Sequence, residues 1–497
     1  MEQQCGDDVD DEQQAVHGSE HGHPDLVADG DVLEEHPGQQ TGPGQRLGEG
    51  EQSEASDVGG EHSRFLRYGR SLAEVRQVTA SADAAPVGAA SQSRGPAGGP
   101  TLVTDVVLCF TLQLELVLDS GGWTTMRTRA AALLEQPGKW QIVDVELDEP
   151  QANEVLVRFV AAGLCHSDDH AATGDMPVGK IPLIGGHEGA GVVESVGPGV
   201  HSLAPGDHVV AQFVPSCGRC HPCATGRGNL CDLGMYALLG SMADGTYRAR
   251  IDGDEAGQMT MAGTFAERAV VSEHSLTRID DDIPLHVAPL LSCGAPTGWG
   301  SSEYAAEVVA GDTVIVMGLG GIGMNAVQGA AARGAAYVIG VDPVAFKRDS
   351  AATFGASHTF ADIEEAAEFA RSVTNGQGAE SVVVAVGVTT GEHVGQAVDA
   401  VAKFGTVVVT GIGDVNENTL PTNLWTLAMM QKRIQGTILG KGAPSVEIGR
   451  LASMYRAGRL KLDELITRTY RLDEINQAYA DMHEGRNIRG VILHDTE

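Results

Sequence analysis

Thr313-Val314-Ile315-Val316-Met317-Gly318-Leu319-Gly320-Gly321-Ile322-Gly323 is the stretch on which the fold turns. A compact apolar run reads as a buried strand, and glycines follow it at once in the order G-x-G-x-x-G. Residues 325–333 then read as a helix, and Val338-Ile339-Gly340-Val341-Asp342 as a second strand ending in an acid. Asp342 stands 19 residues beyond Gly323. A glycine-rich turn with no ligand is the plainer alternative. Strand before, helix after and acid at the next strand end argue instead for dinucleotide binding. Gly318, Gly320, Gly321 and Gly323 would allow a tight turn and close backbone approach to a pyrophosphate. The helix N-terminus would supply N–H donors to that anion. Asp342 would accept hydrogen bonds from the adenosine ribose and repel a 2′-phosphate, so NAD is expected over NADP.

Outward from this unit, residues 381–386 and 406–411 read as further strands, with helical spacing over 390–402 between them. Strand alternating with helix implies an α/β, doubly wound parallel sheet with right-handed crossovers. Residues 446–457 and 472–484 have amphipathic helical spacing, and 490–494 reads as a closing strand. Upstream, the short β-prone runs 130–134, 141–147, 154–162, 189–196 and 207–211 are punctuated by Pro137-Gly138, Gly197-Pro198-Gly199 and Pro205-Gly206. Many short strands between Gly/Pro turns predict a partly open β-barrel.

Two groups of metal-type residues lie in that half. Cys217, Cys220, Cys223 and Cys231 have the spacing C-x2-C-x2-C-x7-C. Four thiolates so close can shut a tetrahedral structural zinc site with no open position. A nucleic-acid zinc ribbon is the rival reading, but the spacing fits poorly and basic neighbours are few. The second group is dispersed: Gly163-Leu164-Cys165-His166-Ser167-Asp168-Asp169-His170, Gly185-Gly186-His187-Glu188-Gly189, and Cys293 in Leu291-Ser292-Cys293-Gly294. Alone, a cysteine or histidine is more often an inert buried side chain. Together, Cys165 and His187 offer two of the three protein ligands that a catalytic zinc with one open position needs, and Cys293 is the candidate for the third. The other two of the eight cysteines, Cys5 and Cys109, lie in the front stretch. No secretory signal opens the sequence, so metal binding or catalysis is a better reading of the six later cysteines than disulfides.

The 497 residues have room for two or three domains, and the formal net charge of −34 argues against nucleic acid and anionic membranes as partners. Residues 1–125 hold 22 acidic side chains against 6 arginines and no lysine, with little apolar periodicity before Leu102. Such a stretch cannot bury enough apolar surface to offset its ordering entropy, so 1–125 is expected to be a disordered extension. The break at Met126 also suggests translated upstream sequence, with the working protein starting near there. Residues 101–118, interrupted by Asp105 and Glu115, are short and mixed for a membrane helix.

A β-rich, zinc-type half joined to a dinucleotide unit resembles the zinc-dependent medium-chain alcohol dehydrogenases. The resemblance runs from about Arg127 to the C-terminus and rests on residues 163–168, 186–191, the four-Cys lobe, Cys293 and residues 318–323. Pro215-Ser216-Cys217, Gly245-Thr246-Tyr247, Val341-Asp342-Pro343 and Asn487-Ile488-Arg489-Gly490 are closer to the actinobacterial NDMA-dependent, or nicotinoprotein, branch. The resemblance implies a GroES-like catalytic domain over 126–294 and 439–497, and a Rossmann domain over 295–438. It implies two zinc ions per chain: a catalytic one on Cys165, His187 and Cys293, and a structural one on the four-Cys lobe. Ser167 and His170 match the proton relay, and Asp168 the carboxylate that orients His187. His166, Thr297, Lys347 and Arg489 match cofactor contacts, and Glu188 could approach the metal or simply pair locally. The implied chemistry is hydride exchange between a small alcohol or aldehyde and NAD. In the nicotinoprotein branch NAD(H) stays bound and an external acceptor, a dye or a peptide-derived redox cofactor, takes the electrons. A cytoplasmic homo-oligomer is implied as well. A thiol-adduct formaldehyde dehydrogenase and a non-catalytic nucleotide sensor are the alternatives on the same fold; the latter would be expected to lack one of the three ligands.

Overall fold

Thr313–Met317 is buried along its whole length, which a strand tolerates only where helices cover both faces of its sheet. The computed structural model describes Val117–Leu118 and residues 124–495. The expected disorder of the front stretch therefore concerns residues almost all outside the described ones, as are Cys5 and Cys109. The strand Thr124–Leu133 begins two residues ahead of Met126.

Thr313–Met317 is the first strand of a six-stranded, wholly parallel sheet. Its order is His358–Phe360, Tyr337–Val341, Thr313–Met317, Ala379–Val384, Val401–Val409, Arg433–Gly436. This is the 3-2-1-4-5-6 arrangement of doubly wound sheets, in which the strand order reverses beside the first strand. Period-2 alternation sends Ile315, Ile339, Val382 and Val384 to one face, against Ile363–Val373 and Gly391–Ala400. Val314, Val316, Val338 and Val383 face the other way, onto Gly321–Ala332.

Two of the boundary shifts have a plain physical reason. The first helix begins at Gly321 rather than residue 325, because the glycine turn itself forms its first turn, with Gly320 as N-cap. The helix expected over 390–402 stops at Ala400. Val401 already pairs with Ala379, so sheet pairing overrides helical spacing there.

The upstream half is built from two sheets. One runs Val117–Leu118, Thr124–Leu133, Gln141–Leu147, Ala249–Ile251, Asp254–Gln258, Leu183–Ile184. It closes on itself because Leu183–Ile184 also pairs with Thr124–Leu133. The other centres on Glu154–Gly163, which pairs with Glu188–Val196, with Arg268–Ser272 and with Arg489–Leu493 from the end of the chain. One continuous core joins this half to the parallel sheet: Ala161, Ala190 and Val210 belong to the same apolar cluster as Val316 and Ala326. No helix among the described residues is long and apolar enough to cross a membrane.

Candidate active site

Glu154–Gly163 ends where Leu164 and Cys165 turn into the short helix His166–Thr173, with Cys165 as its extended N-cap. That single turn sets Cys165, Ser167, Asp168 and His170 on one buried segment. His187 precedes the neighbouring strand Glu188–Val196, and Cys293 caps the helix Gly294–Gly300. Three separate elements thus bring one ligand atom each of Cys165, His187 and Cys293, with a carboxylate oxygen of Glu188, within 4.8 Å of one another.

The surroundings hold these groups in position. Asp168, wholly buried, has Oδ2 2.9 Å from His187 Nδ1, off the axis of a regular hydrogen bond, while Gly186 N–H donates to Oδ1 at 2.9 Å. His187 Nε2 is left buried with no partner. Burial works against a charged imidazole here, but Asp168 and Cys165 outweigh it and hold His187 well above its ordinary range. Burial raises the Asp168 carboxyl against the pull of His187. A hydrogen bond from Cys293, with help from His187, holds the Cys165 thiol well below its usual range; the same bond and burial push Cys293 up. Two sulfurs and one orphaned imidazole nitrogen in a dry pocket are a donor set that suits zinc. Burial pushes the Glu188 carboxyl up to about 7 against the pull of Arg489, its buried ion-pair partner. Phe213 packs edge-on against His187, ring centroids 4.9 Å apart.

The cluster lies beside a cleft of about 1010 Å³ at the C-terminal ends of the parallel strands. Cys165, His166, Ser167, His170, Cys293, Thr297, Gly318, Gly320, Gly321, Asp342, Lys347 and Arg489 all line it. His187, Asp168 and Gly323 do not; the first two are wholly buried behind it. Gly318 takes φ +89°, and a Cβ on Gly323 would stand 1.7 Å from Gly318 O, so both positions require glycine. Asp342 is fixed from both sides: Leu319 N–H donates to Oδ2 and Val344 N–H to Oδ1, each at 2.9 Å. Arg489 lies against Gly321, so one guanidinium meets both the glycine turn and Glu188.

Ser167 Oγ is 3.8 Å from Cys165 Sγ. His170 is buried, with Nδ1 3.1 Å from Asp175 Oδ2 and Nε2 3.2 Å from Gly387 O. Sequence reasoning missed Phe213, Asp175 and the partner of Glu188; no local pattern marks any of them.

The four-Cys lobe closes as its spacing suggests. Cys217, Cys220, Cys223 and Cys231 bring their sulfurs within 4.8 Å of one another. Cys217 N–H points at Cys231 Sγ and Cys220 N–H at Cys217 Sγ, both at 3.4 Å. Burial opposes ionisation of Cys217, but the N–H groups of Arg219 and Cys220 prevail and draw it down to about 7, whereas burial lifts Cys231 to about 12. Four converging sulfurs and no carboxylate among them fit a closed zinc site.

A β-barrel half, a doubly wound sheet and a Cys/His cluster at the cleft between them define the zinc-binding dehydrogenases as a class. Residues 151–281 match the family model described as alcohol dehydrogenase GroES-like domain, and residues 321–453 the one described as zinc-binding dehydrogenase. An NDMA-dependent alcohol dehydrogenase of Amycolatopsis methanolica is 49% identical over 372 residues, covering 75% of this chain and 100% of that one. Alcohol dehydrogenase B of Mycobacterium tuberculosis is 46% identical over 368 residues, covering 74% and 98%. The crystal structure of an alcohol dehydrogenase zinc-binding domain protein from Burkholderia ambifaria superposes with TM-score 0.69 at 32% identity, covering 74% of this chain and 99% of that one. The chain belongs to the zinc-dependent medium-chain alcohol dehydrogenases, close to their NDMA-dependent members.

Proposed function

We propose that Cys165, His187 and Cys293 hold a catalytic zinc, that Cys217, Cys220, Cys223 and Cys231 hold a structural one, and that NAD occupies the adjoining cleft. The observation that carries this reading is the convergence of two sulfurs and one imidazole beside a glycine turn with a fixed acid. Bound zinc would supply Lewis acidity toward an alcohol oxygen, and bound nicotinamide the hydride acceptor.

The protein's own groups do the rest. Ser167, next to Cys165 on the cleft wall, takes the alcohol proton. His170 moves it on once Nε2 lets go of Gly387 O, with Asp175 at Nδ1 offering a half-exposed carboxylate toward solvent. Asp168 holds the imidazole of His187 by Nδ1 and leaves Nε2 for the metal. Arg489 and Lys347 contribute positive charge near the pyrophosphate, and His166 and Thr297 line the cofactor path. Asp342 presents a fixed carboxylate to the adenosine ribose, which supports NAD over NADP.

The domain division is 126–294 with 439–497 for the barrel half and 295–438 for the cofactor half. The relationship to an NDMA-dependent enzyme supports retention of NAD(H) between turnovers and its re-oxidation by an external acceptor. A cytoplasmic homo-oligomer completes the reading.

Cys165→Ala decides the central assignment. The expected result is loss of alcohol turnover and a fall in bound zinc from two ions per chain to one. Unchanged activity, or a zinc count that does not fall, overturns it. Absorbance of the purified protein reports retained nicotinamide in the same sample.

A further inference from the structure

The helix Ile475–His483 of the barrel half is seated in an apolar core through Ile475, Ala478 and Tyr479. It ends in a turn that glycine makes possible. Gly485 takes φ +65°, its N–H donates to Met482 O at 3.1 Å, and Arg486 N–H reaches back to Asp481 O at 2.9 Å. This pair of bonds is the Schellman stop, which turns the chain off the helix axis. The base of the turn is fixed. The buried Asp481 carboxylate accepts from Tyr470 O–H at 2.9 Å, Gln477 Nε2 at 3.0 Å and Arg486 Nη1 at 3.1 Å.

His483, Glu484 and Gly485 line the cleft. Two contacts hold them in place. In the first, His483 Nε2 donates to Asp169 Oδ2 at 2.7 Å. Asp169 is buried on His166–Thr173, the helix that also carries Ser167 and His170. A carboxylate taken out of water needs such a donor, and hydrogen bonds of this kind are among the stronger ones. The second contact crosses from the barrel half to the cofactor half. Gly485 lies so close to Val344 that a Cβ on it would stand 3.0 Å from Val344 Cγ2. Val344 belongs to the turn that fixes Asp342, through its N–H on Oδ1. The two walls of the cleft therefore touch within a few residues of Asp342 on one side and of Arg489 on the other. A dinucleotide lying from Asp342 toward the metal cluster has to enter and leave past this closure.

Resting on the reading of this cleft as the NAD site, we propose that the turn His483–Gly485 is a strap that gates passage of the dinucleotide, with the His483–Asp169 pair as its latch and Val344 as its seat. His483 and Asp169 are positioning residues: they act on the rate of cofactor exchange and touch none of the reacting atoms. A latch that favours the closed state equally with and without cofactor slows entry and exit by the same factor and leaves affinity alone. A side chain that merely contacts the cofactor slows exit only.

The test follows NADH fluorescence in stopped flow, with the zinc-loaded enzyme freed of bound nicotinamide. In His483→Ala the association and dissociation rate constants are both expected to rise about tenfold, with the dissociation constant changed by less than about threefold; loss of a hydrogen bond to a carboxylate at a half-exposed side chain has an effect of this order. His483→Gln, which still presents an N–H to Asp169, should stay close to the parent. Val344→Ala removes the seat from the opposite wall and should raise both rate constants without disturbing Asp169. Zinc content reports whether each variant is intact; where His483→Ala loses zinc, Val344→Ala decides by the same criterion. A rise in the dissociation rate constant alone, or no change in either constant, overturns the strap. Failure of the parent enzyme to bind NADH overturns the cofactor reading, and the strap with it.

Discussion

At the scale of single residues, the site is a problem of orientation. His187 Nε2 is useful to a metal only if Nδ1 is held, and Asp168 holds it. In Asp168→Asn the carbonyl oxygen can keep Gly186 N–H, but the amide then turns its own N–H toward Nδ1–H. Zinc affinity at the catalytic site or activity is expected to fall about 10- to 100-fold, read by competition with a chromophoric chelator and by kcat/KM. Asp342 has both oxygens fixed by backbone N–H groups, so its lone pairs are aimed before any ribose arrives. Asp342→Gly is expected to weaken NAD and to relax discrimination against NADP, measured as the ratio of the two dissociation constants. The identity of these residues was legible in the sequence. Their partners were not: Glu188 and Arg489 lie 301 positions apart, and only folding makes them a pair.

At the scale of elements, the strand Arg489–Leu493 ties the chain's last residues into the barrel half. His494 follows it, buried, with Nε2 donating to Thr264 O at 2.9 Å and Nδ1 without a partner. A second proton would have to sit on Nδ1 among groups that cannot accept it. Burial therefore draws the pKa from 6.5 down to about 4, against the small upward pull of Thr264 and Asp495. The unfolded chain binds a proton near 6.5 and the folded chain only near 4, so between those values the unfolded state holds more protons. The contribution is fully present above about pH 6.5 and is lost as pH falls toward about 4, up to ~3 kcal/mol. Urea melts at several pH values should show this slope, and His494→Gln, which cannot titrate, should flatten it. Element identity was largely readable from periodicity. Boundaries were not, because the helix that starts at Gly321 and the strand that starts at Val401 answer to a turn and to a neighbour across the sheet.

At the scale of the whole molecule, the parallel sheet ends in the edge strand Arg433–Gly436. Leu424, Trp425 and Met429 on the preceding helix are exposed, Leu424 by 75%. Unpaired strand edges and contiguous exposed apolar side chains invite a partner, which supports assembly of copies through this face. Trp425→Glu is expected to shift the sedimenting species toward smaller assemblies with zinc content unchanged. An unaltered sedimentation profile would remove this face from the assembly.

By itself the sequence determined what is local. The G-x-G-x-x-G turn between strand and helix and the C-x2-C-x2-C-x7-C lobe are short-range patterns, and a short loop has few ways to fold around such spacings. The charge balance argued against nucleic acid and anionic membranes without any geometry. Only the tertiary structure decided that Cys165, His187 and Cys293 converge, that Phe213 packs on His187, and that Arg489 meets Glu188. Those relations depend on sheet pairing and core packing between segments far apart in the chain, where sequence spacing carries no information about distance.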